Sequence, residues 1–457
     1  MPLSLRTITL GCKVNQYETE LVREGLRRVG YEDAGEEAAD LCVVNTCTVT
    51  HEGDAKSRQA IRRLARENPE SRIVVMGCYA TRAPQELAAL PNVVEVVTDK
   101  REIPDLLGRF GVVDIPTGIS HFSNHHRAFV KVQDGCLLRC SYCIIPYIRP
   151  HVSSRPPQHI MEEVARLVGN GYREIVLTGI HLGHYGVEGN HDRPKEEWLR
   201  LSHLVDKLCE LPGDFRIRLS SIEATEVTRE LLAVMAANPR RVAPHLHICL
   251  QSGSDPVLRR MRRRWGSRLF IDRCRLVRET LDHPAITTDI IVGFPGETEE
   301  DFAETLRVSR DCRFSKIHHF SFSPRKGTPA AEMPDMIAPQ VKAERIERLL
   351  ELEAELRDDY YRTLIGRELS VLIEAELPPN SFAGTSCRYA PVEIRSRRGR
   401  ESLATNTPPH PQTHFAKDSR PPDVALPTDT SPRFIPYHLV TITPTSLESG
   451  RLIAIAK

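Results

Sequence analysis

The sequence predicts an α/β chain in three parts: an N-terminal parallel-sheet α/β domain, a central partial (β/α)6 barrel and a small C-terminal β-barrel. Short apolar runs alternate with amphipathic helical patterns up to about residue 100 and again from Ala128 to about Arg325. That alternation builds parallel sheets covered by helices. Beyond a long charged helix from Pro339 to Leu364, the pattern changes to apolar–polar alternation with a period of two, which belongs to strands. At 457 residues the chain also exceeds what one core usually holds. The expected domains are residues 1–115, 122–360 and 361–457.

In the first part, Thr7-Ile8-Thr9-Leu10 leads into a helix near Tyr17 to Val29, Leu41-Cys42-Val43-Val44 into a helix near Asp54 to Glu67, and Arg72 to Met76 into one near Pro84 to Leu90. Cys12, Cys47 and Cys78 each lie just beyond the end of one of these strands. All strand C-termini of a parallel sheet lie along one edge, where ligands of open α/β sheets bind, so three cysteines distant in sequence can meet there. We read them as a metal centre with one iron unligated by cysteine. Asn15 and Asn45 accompany the same loops and suit side-chain bracing of the turns. Cys42 falls inside a strand and reads as a core residue, as do Cys209, Cys249, Cys274, Cys312 and Cys387, which lack ligand spacing.

In the second part the expected strands are Ala128–Val132, Glu174–Thr178, Phe215–Leu219, His245–Cys249, Ala285–Val292 and Lys316–Phe320. Cys136, Cys140 and Cys143 follow the first of them directly, with no fourth cysteine nearby. A closed zinc site wants four protein ligands, with His151 the nearest candidate for the fourth. Three thiolates on one loop instead suit three corners of a 4Fe-4S cube, leaving one iron open to a small molecule. Polar and glycine-bearing strand ends share this mouth. Tyr142, Thr178, Gly179, Ser221, Glu223, Gln251, Ile291 and Gly293 are the candidate cofactor-binding residues.

Composition bounds the remainder. Hydrophobic residues make up 40% and charged residues 27%, enough apolar material for real cores. No apolar run approaches a membrane span and no signal-peptide pattern opens the chain, so the expected compartment is cytoplasmic. There the 12 cysteines stay reduced and available to metal. The net charge of +1 is silent about nucleic acid, but two local runs are not. Arg259 to Trp265 places five arginines beside an aromatic, suited to phosphate pairing and base stacking, with a solvated helix face as the alternative. Arg395 to Arg400 is a second basic run. Strand patterns at Glu368–Glu374, Thr385–Ile394, His438–Ile442 and Arg451–Ala456 are interrupted by a Pro-, Thr- and Ser-rich stretch, 401–436, expected to be a disordered insertion.

The loop Cys136–Cys143 resembles that of radical S-adenosylmethionine enzymes. Taken with Cys12, Cys47 and Cys78, and with Leu250-Gln251-Ser252-Gly253-Ser254 and Gly293-Phe294-Pro295-Gly296-Glu297-Thr298, the chain resembles the methylthiotransferases of that superfamily from about residue 5 to 375. The resemblance implies a radical SAM barrel whose 4Fe-4S cluster, on Cys136, Cys140 and Cys143, binds S-adenosylmethionine at its open iron and cleaves it to a 5′-deoxyadenosyl radical. It also implies a second 4Fe-4S cluster on Cys12, Cys47 and Cys78, carrying the sulfur that is methylated and delivered to an unactivated carbon. The last domain resembles the RNA-binding TRAM domain.

The family divides by substrate into threonylcarbamoyladenosine of tRNA, isopentenyladenosine of tRNA, and an aspartate of a ribosomal protein. Leu10-Gly11-Cys12-Lys13-Val14-Asn15-Gln16-Tyr17-Glu18-Thr19, Thr178-Gly179-Ile180-His181-Leu182-Gly183 and His245-Leu246-His247-Ile248 resemble the first branch. That implies methylthiolation at C2 of N6-threonylcarbamoyladenosine at position 37, in the anticodon loop, with a reducing electron donor and a sulfur source as further partners. The other two branches, and a non-catalytic iron or zinc protein that binds RNA, are the alternatives. The chain departs from the family at the 401–436 insertion, at Cys249 where a proline is expected, and at Pro150-His151-Val152 after the cluster loop. No residue is singled out for proton transfer.

Overall fold

The computed structural model describes residues 3–35, 37–123, 125–190, 192–378, 381–395 and 438–456. The first sheet holds β1 (Leu3–Thr9), β2 (Tyr31–Asp33), β3 (Leu41–Thr46), β4 (Arg72–Gly77) and β5 (Val93–Val96), in the order β2-β1-β3-β4-β5. Every pairing is parallel. The helices between them are α1 (Lys13–Arg28), α2 (His51–Glu67), α3 (Cys78–Arg82), α4 (Pro84–Ala88) and α5 (Ile103–Arg109). Central strand β3 is buried at every position because helices cover both faces, which is why it reads as a continuous apolar run. Leu5, Val43, Val74 and Met76 pack into one core and Cys42, Val44, Ile73 and Val75 into the other.

Six parallel strands follow: β6 (Ala128–Asp134), β8 (Glu174–Gly179), β9 (Arg216–Leu219) with its continuation β10 (Ser221–Ile222), β11 (His245–Ile248), β12 (Ala285–Val292) and β13 (Lys316–Ser321). A break at Ser220 divides the strands into two sheets, which a parallel bridge between Ile217 and Val242 joins. A two-residue strand, β7 (Ser153–Ser154), returns antiparallel to β6. Helices α6 (Ile145–Ile148), α7 (Pro157–Gly169), α8 (Leu201–Cys209), α9 (Arg229–Ala237), α10 (Asp255–Arg260), α11 (Ser267–Thr280) and α12 (Glu299–Cys312) complete the partial barrel. Ile175, Leu177, Ile217, Leu219, Leu246, Ile248, Ile286 and Ile290 face this helical layer in one continuous core. Several alternate positions are polar, among them Glu174, Arg216, Arg218, His245, His247 and Thr287. Glu174 accepts from Arg216 and Arg218, and the His245 and His247 rings share the Thr287 hydroxyl.

Helix α13 (Pro339–Arg362) packs on β13 and leads to a six-stranded curled sheet, β14 (Leu369–Leu377), β15 (Ser381–Ser386), β16 (Pro391–Arg395), β17 (Leu439–Ile442), β18 (Pro444–Glu448) and β19 (Arg451–Ile455), in the order β17-β14-β15-β16-β19-β18. It has its own core around Leu369, Val371, Val392 and Leu452. Arg216 ties it to the barrel, donating to the carbonyls of Ser370 at 2.8 Å and Thr385 at 2.9 Å. Arg388 reaches back to Asp282 at 2.9 Å. The 401–436 insertion, and the basic run beyond Arg395, lie outside the described residues.

The expected and observed elements differ mainly at edges. Helix α1 starts at Lys13, four residues before the expected Tyr17, because its first turn faces the barrel and carries polar residues instead of an apolar stripe. Strands β2, β5, β7, β10 and β18 were not among the expected ones; they are two to five residues long and mostly half-exposed, although β5 lies in the valine-rich stretch 93–97. Among the described residues no helix is long and apolar enough to cross a membrane.

Candidate active site

Cys136, Cys140 and Cys143 form a loop at the C-terminal end of β6. Gly135 turns the chain into it at φ +80°, and a Cβ there would sit 2.0 Å from the His151 carbonyl oxygen, so no side chain fits. The Cys136 N–H donates to the Arg149 carbonyl at 3.2 Å and the Cys143 N–H to the Cys140 carbonyl at 3.1 Å. Ser141 pins the loop to the next elements, its hydroxyl donating to the Arg260 carbonyl at 2.7 Å. Each sulfur has a different neighbour. His181 Nδ1 is 3.7 Å from Cys136, Arg263 Nη1 is 3.5 Å from Cys140, and the Ile145 N–H faces Cys143. Burial pushes the Cys143 thiol up to about 12 and raises Cys140 too, so a metal is what would make these groups thiolates.

Cys12, Cys47 and Cys78 gather about the Asn15 side chain. Asn15 Nδ2 donates to the carbonyls of Leu10 at 2.9 Å and Thr46 at 3.0 Å, and Asn45 Nδ2 donates to the Asn15 carbonyl at 2.8 Å, the bracing expected of both. Asn15 Oδ1 then sits 4.0 Å from the Cys12 sulfur and 3.9 Å from that of Cys78. Gly11, at φ +103°, lets Cys47 close in: a Cβ on Gly11 would lie 3.0 Å from the Cys47 sulfur. Lys100 Nζ donates to Cys78 at 3.3 Å.

The spacing of the thiols tests the two metal readings. Among the described residues, the groups whose ligand atoms lie within 4.8 Å of one another are His181/His184/Glu226 and His247/Cys249/Asp289, and neither cysteine triad is that tight. Ligands on a single zinc at ~2.3 Å would stand roughly 3.8 Å apart. Neither triad is tight enough for three thiolates on one zinc, three cysteines are a donor set for a 4Fe-4S cluster with one iron left open, and His151 is exposed.

Arg149 joins the two cysteine sites. Its guanidinium, 3% exposed, donates to Glu18 at 3.0 Å, Asp134 at 2.6 Å and Asn15 at 3.1 Å, touching the helix that follows Cys12 and the strand that precedes Cys136. Lys131 Nζ adds bonds to Glu18 at 2.7 Å and Asp134 at 2.5 Å. Burial alone would raise the Glu18 carboxyl, but Arg149 and Lys131 hold it below the ordinary carboxylate range. Cys78 also packs on Ile144 and Ile148, just after Cys143. Sequence reasoning missed Glu18, Lys131 and Arg149, which read as ordinary charges until the fold pairs them.

The candidate cofactor residues stand at or just beyond strand ends and, for Tyr142, in the cysteine loop. Thr178 is buried at the end of β8, and Gly179 lies against Gln133, whose oxygen would be 3.0 Å from a Cβ there. Gln251, at φ +67°, donates to the Asp289 carbonyl at 2.8 Å and accepts from Ile291 at 2.9 Å. Gly293, at φ +74°, donates to Glu297 at 2.8 Å. The Tyr142 ring stands edge-on to Phe294 at 6.5 Å, and Ser221 is exposed. Glu223 pairs with Arg263 and accepts from Trp265 Nε1 at 3.2 Å. That pairing corrects the reading of the basic run. Trp265 is buried and cannot stack on a base; Arg259, Arg262 and Arg264 remain exposed.

Residues 4–99 match the family model described as "Uncharacterized protein family UPF0004", and residues 130–308 that of the Radical SAM superfamily. The chain is 40% identical to the threonylcarbamoyladenosine tRNA methylthiotransferase MtaB of Bacillus subtilis, over 85% of this chain and 89% of the relative. The chain belongs to the radical SAM methylthiotransferases. A second methylthiotransferase of this kind, from Thermotoga maritima, is 38% identical over 86% of this chain and 92% of its own length. The tRNA-2-methylthio-N(6)-dimethylallyladenosine synthase of Corynebacterium diphtheriae is 34% identical over 94% of this chain and 86% of that one. Among solved structures, the radical S-adenosylmethionine methyltransferase TsrM of Kitasatospora setae shares the fold, with a TM-score of 0.52, 13% identity and coverage of 72% of this chain and 77% of that one. As a radical SAM methylthiotransferase the chain takes a 4Fe-4S cluster and S-adenosylmethionine as cofactors.

Proposed function

We propose that this protein adds a methylthio group to C2 of N6-threonylcarbamoyladenosine at position 37 of cytoplasmic tRNA. The observation that carries the reading is the meeting of two cysteine triads across one buried guanidinium, Arg149. A radical made at one site must act where the other site offers sulfur, and two distant centres could not do so. In this reading Cys136, Cys140 and Cys143 hold the cluster that binds S-adenosylmethionine, and Cys12, Cys47 and Cys78 hold a second 4Fe-4S cluster. When bound, these groups supply a hydrogen-abstracting radical and the sulfur to be transferred.

The protein's own side chains position and enclose. Tyr142, Thr178, Gly179, Ser221, Glu223, Gln251, Ile291 and Gly293 form the S-adenosylmethionine pocket. Close turns at Gln251 and Gly293 bring main-chain groups to its wall, and Arg263 braces Glu223 against Cys140. Glu18, Lys131, Asp134 and Arg149 lock the first domain to the barrel, so the separation of the two triads is held by charge pairs away from water. Exposed Arg259, Arg262 and Arg264 rim the mouth and suit RNA phosphates, and the curled C-terminal sheet suits the rest of the anticodon arm. Residues 1–115, 122–360 and 361–457 serve as sulfur-site, radical and RNA-binding domains. The electron and the sulfur come from outside partners.

Nucleoside mass analysis of tRNA from cells with and without the protein tests the reading. The methylthio form of threonylcarbamoyladenosine should vanish in its absence. Its retention, with loss of a methylthio-dimethylallyl nucleoside instead, would move the substrate to the other tRNA branch.

A further inference from the structure

The His181 side chain has no role in the proposed function, yet it is held from several sides. The His181 main-chain N–H donates to Gln133 Oε1 at 2.8 Å, and Gln133 Nε2 donates to the carbonyls of Asp134 at 2.7 Å and Gly135 at 2.8 Å, immediately before Cys136. One amide thus ties the loop after β8 to the cysteine loop after β6. The ring is buried. Its Nε2 lies 2.5 Å from Glu226 Oε1 and its Nδ1 3.7 Å from the Cys136 sulfur.

Glu226 is itself fixed, because its other oxygen accepts the Glu223 N–H at 3.0 Å. It also lies so close over Gly183 that a Cβ there would meet Oε2 at 2.1 Å. On the far side His184 stacks on His181, ring centroids 3.6 Å apart and planes 28° from parallel. An imidazole binds an ion in its own ring plane, and two nearly parallel planes this far apart share no point close to both rings, which argues against a shared ion for His181, His184 and Glu226. The arrangement instead leaves the His181 ring one orientation, with Nδ1 toward sulfur.

A sulfur that ligates iron can only accept a hydrogen bond, and such a bond draws charge from it and favours the reduced cluster. We propose that His181 is a positioning residue for the radical-site cluster: held between two acceptors, its ring carries both protons, donating Nε2–H to Glu226, which holds it in place, and Nδ1–H to the Cys136 sulfur, and the pair makes that cluster easier to reduce. The proposal rests on Cys136, Cys140 and Cys143 being the ligands.

The test is an EPR-monitored redox titration of anaerobic full-length holoenzyme without tRNA. The radical-site cluster is identified as the one whose signal changes on adding S-adenosylmethionine. In His181→Ala, with iron content unchanged, the reduced-to-oxidised ratio at a fixed solution potential should fall about tenfold, ~59 mV for a one-electron couple. His181→Asn, which keeps an N–H donor, should recover part of the loss, and Glu226→Gln should show an intermediate fall. If His181→Ala loses iron, the Asn and Gln variants decide. Unchanged ratios in variants that retain the S-adenosylmethionine-responsive signal would overturn the proposal. A wild-type holoenzyme with no such signal would overturn the cluster assignment instead.

Discussion

Replacing Arg149 with methionine keeps most of the side-chain volume and removes the charge that joins the two cysteine sites. Four bonds go: two to Glu18 at 3.0 Å each, one to Asp134 at 2.6 Å and one to Asn15 at 3.1 Å. Removing one partner of a buried pair usually costs about 3–5 kcal/mol, because the charge left behind stays out of water. Here Glu18 keeps Lys131 at 2.7 Å and Lys100 at 3.6 Å, and Asp134 keeps Lys131 at 2.5 Å, so the low end, about 3 kcal/mol, applies. The loss falls on the contact between α1 and the cysteine loop. Hydrogen exchange read by mass spectrometry should therefore show peptides of α1 and of residues 134–149 opening roughly a hundredfold more often, while the C-terminal sheet is unchanged. In Glu18→Gln combined with Arg149→Met, the cost should be well below the sum of the two single changes. A change in exchange of less than about threefold in these peptides would refute the view that this network holds the two sites together.

Gly135→Ala should displace the Cys136 loop, since the new Cβ would clash with the His151 carbonyl oxygen; iron should fall from about eight per chain toward about four, with circular dichroism unchanged. Trp265→Phe, which loses the 3.2 Å bond to Glu223, should weaken S-adenosylmethionine binding and leave tRNA affinity within about twofold, because the ring is buried. Arg262→Ala with Arg264→Ala should instead weaken tRNA binding and reduce its logarithmic salt dependence by about 0.7 for each phosphate left without its arginine, as measured by filter binding across salt concentrations. Glu174→Gln should cost about 3–5 kcal/mol by leaving Arg216 and Arg218 buried without their carboxylate; a thermal transition equal to wild type would contradict that.

Much of this architecture was legible in local pattern. Ala285–Val292 was expected as a strand and is one with the same bounds, and the other central strands agree within a few residues. The apolar run of β3 comes from burial on both faces, whereas strands such as β9 and β11 alternate, with their apolar side against the helices. The strands that were not expected are two to five residues long, too short to show a clear period. Cys136, Cys140 and Cys143 were legible as a set because one loop holds them, and Cys12, Cys47 and Cys78 because parallel strands end on one edge. The Arg259–Trp265 run misled on Trp265, since nothing local shows that Arg263 and the indole face a carboxylate about forty positions earlier.

The sequence by itself determined the βα order, the period-two end, the strand-end cysteines and the three-cysteine loop, because each depends on residues close along the chain. Tertiary structure alone decided which charges are structural. Arg149 and Glu18 stand 131 positions apart, and His181 and Cys136 stand 45 apart. In sequence they resemble any solvated charge or loop histidine. Only when α1, β6 and β8 pack together and exclude water do these pairings become strong enough to hold two cysteine sites side by side.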